Sequence, residues 1–383
     1  MSSAMQSLFE PLPWSVGVNL ANRIVMAPMT RRCSPRGVPG PDVAAYYRRR
    51  AEGGVGLIIT EGAWVPHACA SQYLDSKAEA PRFHGEDALA GWKHVVEEVH
   101  SAGGRIAPQL WHVGQSYHPE DASIFEQDAA CRDRLLGPSG LVATHGRPLM
   151  ARGVAASRKQ IREVIEAYAT AARAAKSLGF DGIELHAAHG YLIDQFLWSV
   201  TNRRADEYGG DQRSRTRFAA EIIAAVRAST APDFPIIIRI SQWKMADYGT
   251  RSAETPAELA DILEPLADAG TDVFHCSQRR FWEGEFGTDL NLAAWAKKLT
   301  GKRSITVGSV GLDADFLDTL RMGESLGSAQ RLSDLVRRLE RDEFDLVAVG
   351  RALVANPDWP QKLKRGNLSD VKPYSPQLLA ELY

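Results

Sequence analysis

Short, continuously apolar segments recur along this chain, each followed by an amphipathic helical pattern, and that alternation restricts the fold more than any other feature. The segments lie at 23–27, 57–60, 105–110, 182–186, 236–240, 273–276, 304–307 and 346–349. Most lack polar alternation, as strands do when helices cover both faces of a parallel sheet. Helical patterns between them end at glycine: 92–102 before Gly103-Gly104, 161–178 before Gly179, and 258–269 before Gly270. Glycine there suits a left-handed cap, which a side chain would strain. Eight strands, each followed by a helix, predict a closed (β/α)₈ TIM barrel rather than an open doubly wound sheet. A decorated barrel accommodates 383 residues as one unit, so residues 1–383 read as a single domain.

Two connections are unusually long, 113–156 and 197–213. They follow the third and fourth strands at the end where barrels place their chemistry, and they read as capping loops. The stretch 312–344 is also long, with a helical pattern around 328–341.

Composition narrows the function classes. A formal net charge of -2 provides no global field toward nucleic acid or an anionic membrane. Arg48-Arg49-Arg50 and Arg337-Arg338 read as solvated helix faces. Cys33, Cys69, Cys131 and Cys276 are widely spaced, which supports neither a zinc site nor an iron–sulfur cluster, and no other metal site is expected. Separated thiols suit a reducing compartment. The first 13 residues lack the pattern of a secretory signal, and no apolar run approaches the roughly 20 residues that span a bilayer. The expectation is a cytoplasmic protein with a small-molecule partner, its state as monomer or homo-oligomer open.

Chemistry-bearing residues cluster at the strand ends. His186-Ala-Ala-His189-Gly-Tyr191 follows the fourth strand directly. The two imidazoles read as a hydrogen-bonded structural pair, as half of a metal site, or as two N–H donors gripping a substrate oxygen. Arg239 ends the fifth strand, and a buried arginine needs a partner. That partner is either Glu184 in an internal ion pair or an anionic ligand above the barrel. Gln109 ends the third strand and offers a donor and an acceptor. Gly308-Ser309 and Gly350-Arg351 end strands seven and eight, where barrels commonly hold phosphate on backbone N–H groups. A flat, phosphate-tethered heterocycle would use all of these, and flavin mononucleotide (FMN) is such a ligand. No GxGxxG opens a βαβ unit, so the dinucleotide fingerprint is not met.

Several longer motifs carry a resemblance. They are Leu8-Phe-Glu-Pro11, Asn22-Arg-Ile-Val-Met-Ala-Pro-Met-Thr30, Gly56-Leu-Ile-Ile-Thr-Glu-Gly62, Gln109-Leu-Trp-His-Val-Gly114, His186 through Phe196, and Asn202-Arg-Arg-Ala-Asp-Glu-Tyr-Gly-Gly210. Together they resemble the Old Yellow Enzyme family of FMN-dependent ene-reductases, in order from Leu8 to about Pro360. The resemblance implies that Pro28, Met29 and Ala63 line the flavin, largely through backbone contacts, and that Thr30 tunes it by one hydrogen bond. It implies that Gln109 reads the pyrimidine edge, Arg239 stabilises the anionic reduced flavin, and Ser309, Gly350 and Arg351 hold the phosphate. His186 and His189 would bind the oxygen of an activated alkene, with Tyr191 as proton donor. NADH or NADPH would be the reductant. Trp111, with Trp64, Tyr73, Phe281 and Trp282, would line the substrate pocket.

The sequence departs from the family pattern in places. Gln115 stands where many members have arginine, and Leu197-Trp-Ser-Val replaces a Leu-Ser-Pro continuation. Ser214 replaces a frequent asparagine, a change expected to touch the edge of the phosphate site. The main rival on the same barrel is a flavin-dependent amine dehydrogenase or demethylase. Such relatives carry clustered cysteines and a long C-terminal extension, and no cysteine follows Cys276 here.

Overall fold

The computed structural model describes residues 3–71, 80–116, 133–315, 318 and 325–383. Eight parallel strands close into a barrel: β1 (Ile24–Met26), β2 (Leu57–Trp64), β3 (Ile106–Trp111), β4 (Ile183–His186), β5 (Ile236–Ser241), β6 (Val273–Ser277), β7 (Arg303–Val307) and β8 (Leu346–Val349). Each strand pairs with the next in sequence, and β8 returns to β1 with Val347 opposite Ile24. The predicted TIM barrel is therefore the observed fold. β2 runs four residues past its apolar stretch, through a bulge between Ile59 and Gly62. The polar pair Thr60-Glu61 disguised that extension, because both side chains are buried inside the protein.

Helices surround the strands: α1 (Pro41–Glu52), α2 (Glu86–Ser101), α3 (Arg158–Ser177), α4 (Arg217–Ser229), α5 (Pro256–Asp268), α6 (Leu292–Thr300), α7 (Ala329–Glu340) and α8 (Arg351–Ala355). Local chemistry sets their limits. Ser157 and Gln160 form a reciprocal capping box at α3, and Thr255 and Ser328 cap α5 and α7. Gly103, Gly179 and Gly270 all take positive φ just beyond α2, α3 and α5. The helix expected at 328–341 is α7 itself. α2 begins six residues earlier than its apolar pattern, because its first turn is polar and has no side-chain cap.

The barrel interior is packed with Val25, Leu57, Ile59, Ala107, Ile237, Val273, Ile305 and Leu346, mostly branched residues from successive strands. An N-terminal hairpin, Leu12–Ser15 paired with Val18–Leu20, adds Leu12, Trp14 and Leu20 to this cluster. Trp14 Nε1 donates to the carbonyl of Asp181, just before β4, so the hairpin closes the N-terminal end of the barrel. Chemistry is left to the opposite end.

The described parts of both long connections follow the C-terminal ends of β3 and β4, at that opposite end. Leu136–Gly137 pairs with Val154–Ala155, and Leu141–Val142 with Met150–Ala151. Arg204, in the second connection, donates to the carbonyls of Pro138 and Ala156 in the first, which fastens the two together. Among the described residues no helix is long and apolar enough to cross a membrane, and no cluster of three ligating side chains could hold a metal ion.

Candidate active site

Strand ends of the barrel enclose a cavity of about 600 Å³. Thirteen of the residues singled out in the sequence line it: Pro28, Met29, Thr30, Gln109, Trp111, His186, His189, Tyr191, Arg239, Gly308, Ser309, Gly350 and Arg351. Ala63 does not. Its side chain is fully buried on β2, opposite Leu110. Trp64, Phe281 and Trp282 are also absent from the lining, and Tyr73 and Cys131 lie outside the described residues. Ser214 is on an exposed helical turn capped by Asp211 and is absent from the cavity lining.

At one end of the cavity the backbone is shaped for an anion. Gly308 and Ser309 have successive positive φ values of 153° and 53°. A Cβ on Gly308 would lie 2.7 Å from the carbonyl oxygen of Gln278, so only glycine fits. Ser309 Oγ is within hydrogen-bond distance of the carbonyls of Arg279 and Ala314, at 2.9 and 3.1 Å. Those carbonyls occupy the hydroxyl, which leaves the backbone N–H groups of the turn as its free donors. Across the cleft a Cβ on Gly350 would press to 3.0 Å from Met29 Sδ. Arg351 Nη1 donates to the carbonyl of Asp315 at 3.0 Å, which aims the guanidinium into this end. Arg279 and Asp315 also line it and form an ion pair at 2.7 Å. As isolated charged residues in connecting segments, neither carried a sequence signal.

The floor is polar and connected. Glu184 on β4 is fully buried and accepts from Gln109 Nε2 at 2.7 Å and from His275 Nδ1 at 2.6 Å. Burial pushes the His275 imidazole below its ordinary range, so this is a hydrogen bond from a neutral ring. Glu184 was the internal partner considered for Arg239, yet no carboxylate lies within ion-pair distance of Arg239 among the described residues. Arg239 Nη2 instead donates to Ser277 Oγ at 3.4 Å, and its Nε is buried without a partner. A buried cation in that state calls for an anionic ligand.

One wall carries the His-x-x-His-x-Tyr set. The ring of His186 lies 5.2 Å from that of His189 and 4.9 Å from that of Tyr191. Trp111 packs edge-on to Tyr191 at 4.9 Å. Burial drives both imidazoles well below their ordinary pKa, and the Arg239 charge adds to this. Both rings are therefore neutral near pH 7, each with one N–H. His189 Nε2 is 2.8 Å from Ser277 Oγ, a contact invisible to sequence reading because Ser277 is on another strand. Trp243 stacks on His189 at 4.4 Å and on Tyr248 at 5.2 Å, giving the wall an aromatic backing.

A glycine-shaped anion cradle, an amide and an unpaired cation on the floor, and neutral N–H donors on the wall define a barrel oxidoreductase built around a tethered flavin. Comparison with known proteins agrees. Residues 7–370 match the NADH:flavin oxidoreductase / NADH oxidase family. The chain is 33% identical over 360 residues to 12-oxophytodienoate reductase 7 of Oryza sativa subsp. japonica, covering 90% of this chain and 84% of that protein. It is also 33% identical over 368 residues to the NADH oxidase of Thermoanaerobacter brockii, covering 92% of this chain but spanning only 50% of that longer relative. The solved structure of morphinone reductase in complex with tetrahydroNAD superimposes with a TM-score of 0.77 at 29% identity, covering 97% of this chain and 94% of that one. The chain belongs to this family of flavin oxidoreductases, the Old Yellow Enzymes. FMN is its cofactor and a nicotinamide dinucleotide its reductant.

Proposed function

We propose that the chain works as a single FMN-binding unit that reduces the carbon–carbon double bond of small activated alkenes, α,β-unsaturated carbonyl or nitro compounds. The observation that carries this reading is the convergence of two neutral imidazoles and a phenol on one wall, with their rings 4.9 to 5.2 Å apart. FMN, once reduced by NADH or NADPH, supplies the hydride that reaches the substrate Cβ. Residues of this chain do the rest.

Gly308, Ser309, Gly350 and Arg351 would hold the phosphate, and Thr30, Pro28 and Met29 would line the ring. Gln109 would read the pyrimidine edge. Arg239, unpaired on the floor, would stabilise negative charge there. His186 and His189 donate N–H bonds to the substrate oxygen as charge develops on it, the logic of an oxyanion hole. Ser277 Oγ accepts from Arg239, an obligatory donor, so its own proton is available to His189 Nε2. That assigns the donating N–H of His189 to Nδ1. Tyr191 delivers its phenolic proton to Cα as general acid. Trp111 fixes the Tyr191 ring from the side. Cys33, Cys69 and Cys276 are free thiols, which supports the cytoplasm as the place of action.

Steady-state assays of FMN-loaded protein against cyclic enones and nitroalkenes, with NADH and NADPH in turn, test the reading. Saturated products formed in proportion to nicotinamide oxidised are expected. Nicotinamide oxidation that never yields a saturated product would refute it.

A further inference from the structure

Behind the substrate wall, outside the cavity lining, lies a buried ion pair. Lys244 Nζ is 2.6 Å from Asp194 Oδ1, and both side chains are essentially inaccessible, at 0% and 1% exposure. The ammonium also donates to Ser252 Oγ at 2.6 Å and to the carbonyl of Ser241 at 3.4 Å. A buried ion pair contributes little net stability compared with apolar side chains of the same volume. The surroundings of this one point to another use.

Asp194 Oδ2 accepts the backbone N–H of Gly190 at 2.7 Å, inside the turn that joins His189 to Tyr191. That turn holds two successive left-handed residues, His189 at φ 66° and Gly190 at φ 85°. A histidine rarely adopts such a conformation, and it persists only where neighbours enforce it. The segment after β5 provides the enforcement. Ser241 Oγ accepts from His189 N at 2.9 Å, and Met245 N donates to His189 O at 3.1 Å. Gln195 Nε2 completes the set by donating to Gly190 O at 2.7 Å. Trp243, the residue before Lys244, lies flat on the His189 ring. Lys244 is the anchor that ties this segment to Asp194 beneath the turn.

We propose that Lys244 is a positioning residue for the reaction: its pairing with Asp194 locks the His189–Tyr191 turn so that both side chains face the substrate. The inference rests on the assignment of His186, His189 and Tyr191 as substrate-facing groups. Sequence inspection alone gives no hint of it, because Lys244 stands in an otherwise unremarkable loop segment. Lys244 does not touch substrate or cofactor, and it acts through the two side chains it holds in register.

The test uses oxidised, FMN-loaded protein titrated with para-chlorophenol, followed by the flavin spectrum, together with the rate at which cyclohexenone reoxidises the reduced enzyme. Four variants are compared with the parent: Lys244→Met, Asp194→Asn, the double variant, and His186→Ala as a control. Misplacement of reacting groups by about 1 Å costs up to about 100-fold in rate. Lys244→Met and Asp194→Asn should therefore bind the phenol at least about tenfold more weakly and slow reoxidation by about 10- to 100-fold, with FMN content retained. The double variant leaves no charge unpaired and keeps an amide oxygen for Gly190 N–H, so it should recover most of the phenol affinity. Parent-like phenol binding and reoxidation in a folded Lys244→Met would overturn the proposal, as would losses that merely track loss of FMN or of melting temperature. Should Lys244→Met fail to fold, parent-like phenol binding by folded Asp194→Asn, or none recovered by the double variant, overturns it equally. A His186→Ala variant with normal phenol binding would instead refute the assignment of the wall, independently of Lys244.

Discussion

His186 stands directly opposite Arg239 in the register between β4 and β5, so a neutral imidazole and an unpaired guanidinium emerge from neighbouring strands at the same height. The cation suppresses protonation of the ring, and burial acts in the same direction. The site thus keeps its strong positive charge on the floor, where the proposed flavin pyrimidine would lie. The wall above offers hydrogen-bond donors without becoming charged.

Removing one of those donors gives the first prediction. His186→Ala should leave FMN content nearly intact, because His186 belongs to the wall rather than to the phosphate cradle. The rate of reduction of an enone should fall by the equivalent of about 2.7–4 kcal/mol of transition-state stabilisation, as for other single oxyanion donors. Rapid-mixing kinetics of the reoxidation step measure this directly.

Tyr191→Phe separates the two halves of the cycle. The phenol is needed only when Cα is protonated, so reduction of the flavin by NAD(P)H should proceed at the parent rate. Reoxidation by an enone should slow by about 10²- to 10⁴-fold, the usual worth of a positioned general acid. Nitroalkenes, whose anionic products can leave and be protonated in water, should be affected less. Equal losses in both half-reactions would contradict the role given to Tyr191.

The anion cradle makes a prediction about affinity. Gly308→Ala places a Cβ 2.7 Å from a carbonyl oxygen at a φ of 153°, so the turn must shift. Arg351→Met removes a charge-assisted contact worth about 1.5–3 kcal/mol. Both should yield protein that loses FMN on dilution, detected as recovery of free-flavin fluorescence, with the Arg351 variant about 10- to 100-fold weaker in Kd.

Acid sensitivity follows from buried imidazoles. Burial pushes His112, His186, His189 and His275 below their ordinary value, the first three well below it. The unfolded chain takes up protons on these rings below about pH 6.5 while the folded protein does not. Their contribution is complete above pH 6.5 and is lost as pH falls toward the depressed folded values. Glu61 acts in the opposite direction. It is buried while accepting from the N–H groups of Arg31 and Arg32, and burial raises its carboxyl to about 7. Its contribution is complete at low pH and is lost as pH rises through 7. Four imidazoles outweigh one carboxyl, and each uncompensated proton is worth roughly 1.4 kcal/mol per pH unit. The melting temperature of the holoenzyme should therefore fall steadily from pH 6.5 to pH 5. A flat or rising profile would show that these rings are not buried as described.

Much of the barrel was legible because its signals are local and repetitive. Several strands contain a run such as Ile236-Ile237-Ile238 that has no polar face, and each of several helices stops at a glycine that only a left-handed turn requires. The cavity was legible for a related reason, since the ends of those runs are fixed in the sequence and their polar residues stand out. Residues that act through distant partners left no trace. Ser277 bears on His189 from a strand 88 positions away, and Lys244 pairs with Asp194 across 50 positions. Glu61 carried no local pattern either, since its importance lies in the two N–H groups it accepts from the loop beside Thr30.

A single turnover in heavy water tests the account most directly. FMN-loaded protein is reduced anaerobically with one equivalent of NAD(P)H and mixed with 2-cyclohexenone in D₂O. Full reoxidation of the flavin is expected, with cyclohexanone carrying one deuterium beside the carbonyl, the proton-donor position. Reduced protein that is inert toward the enone, while the oxidised protein is bleached by a methylamine, would contradict it and place the chemistry with the amine dehydrogenases.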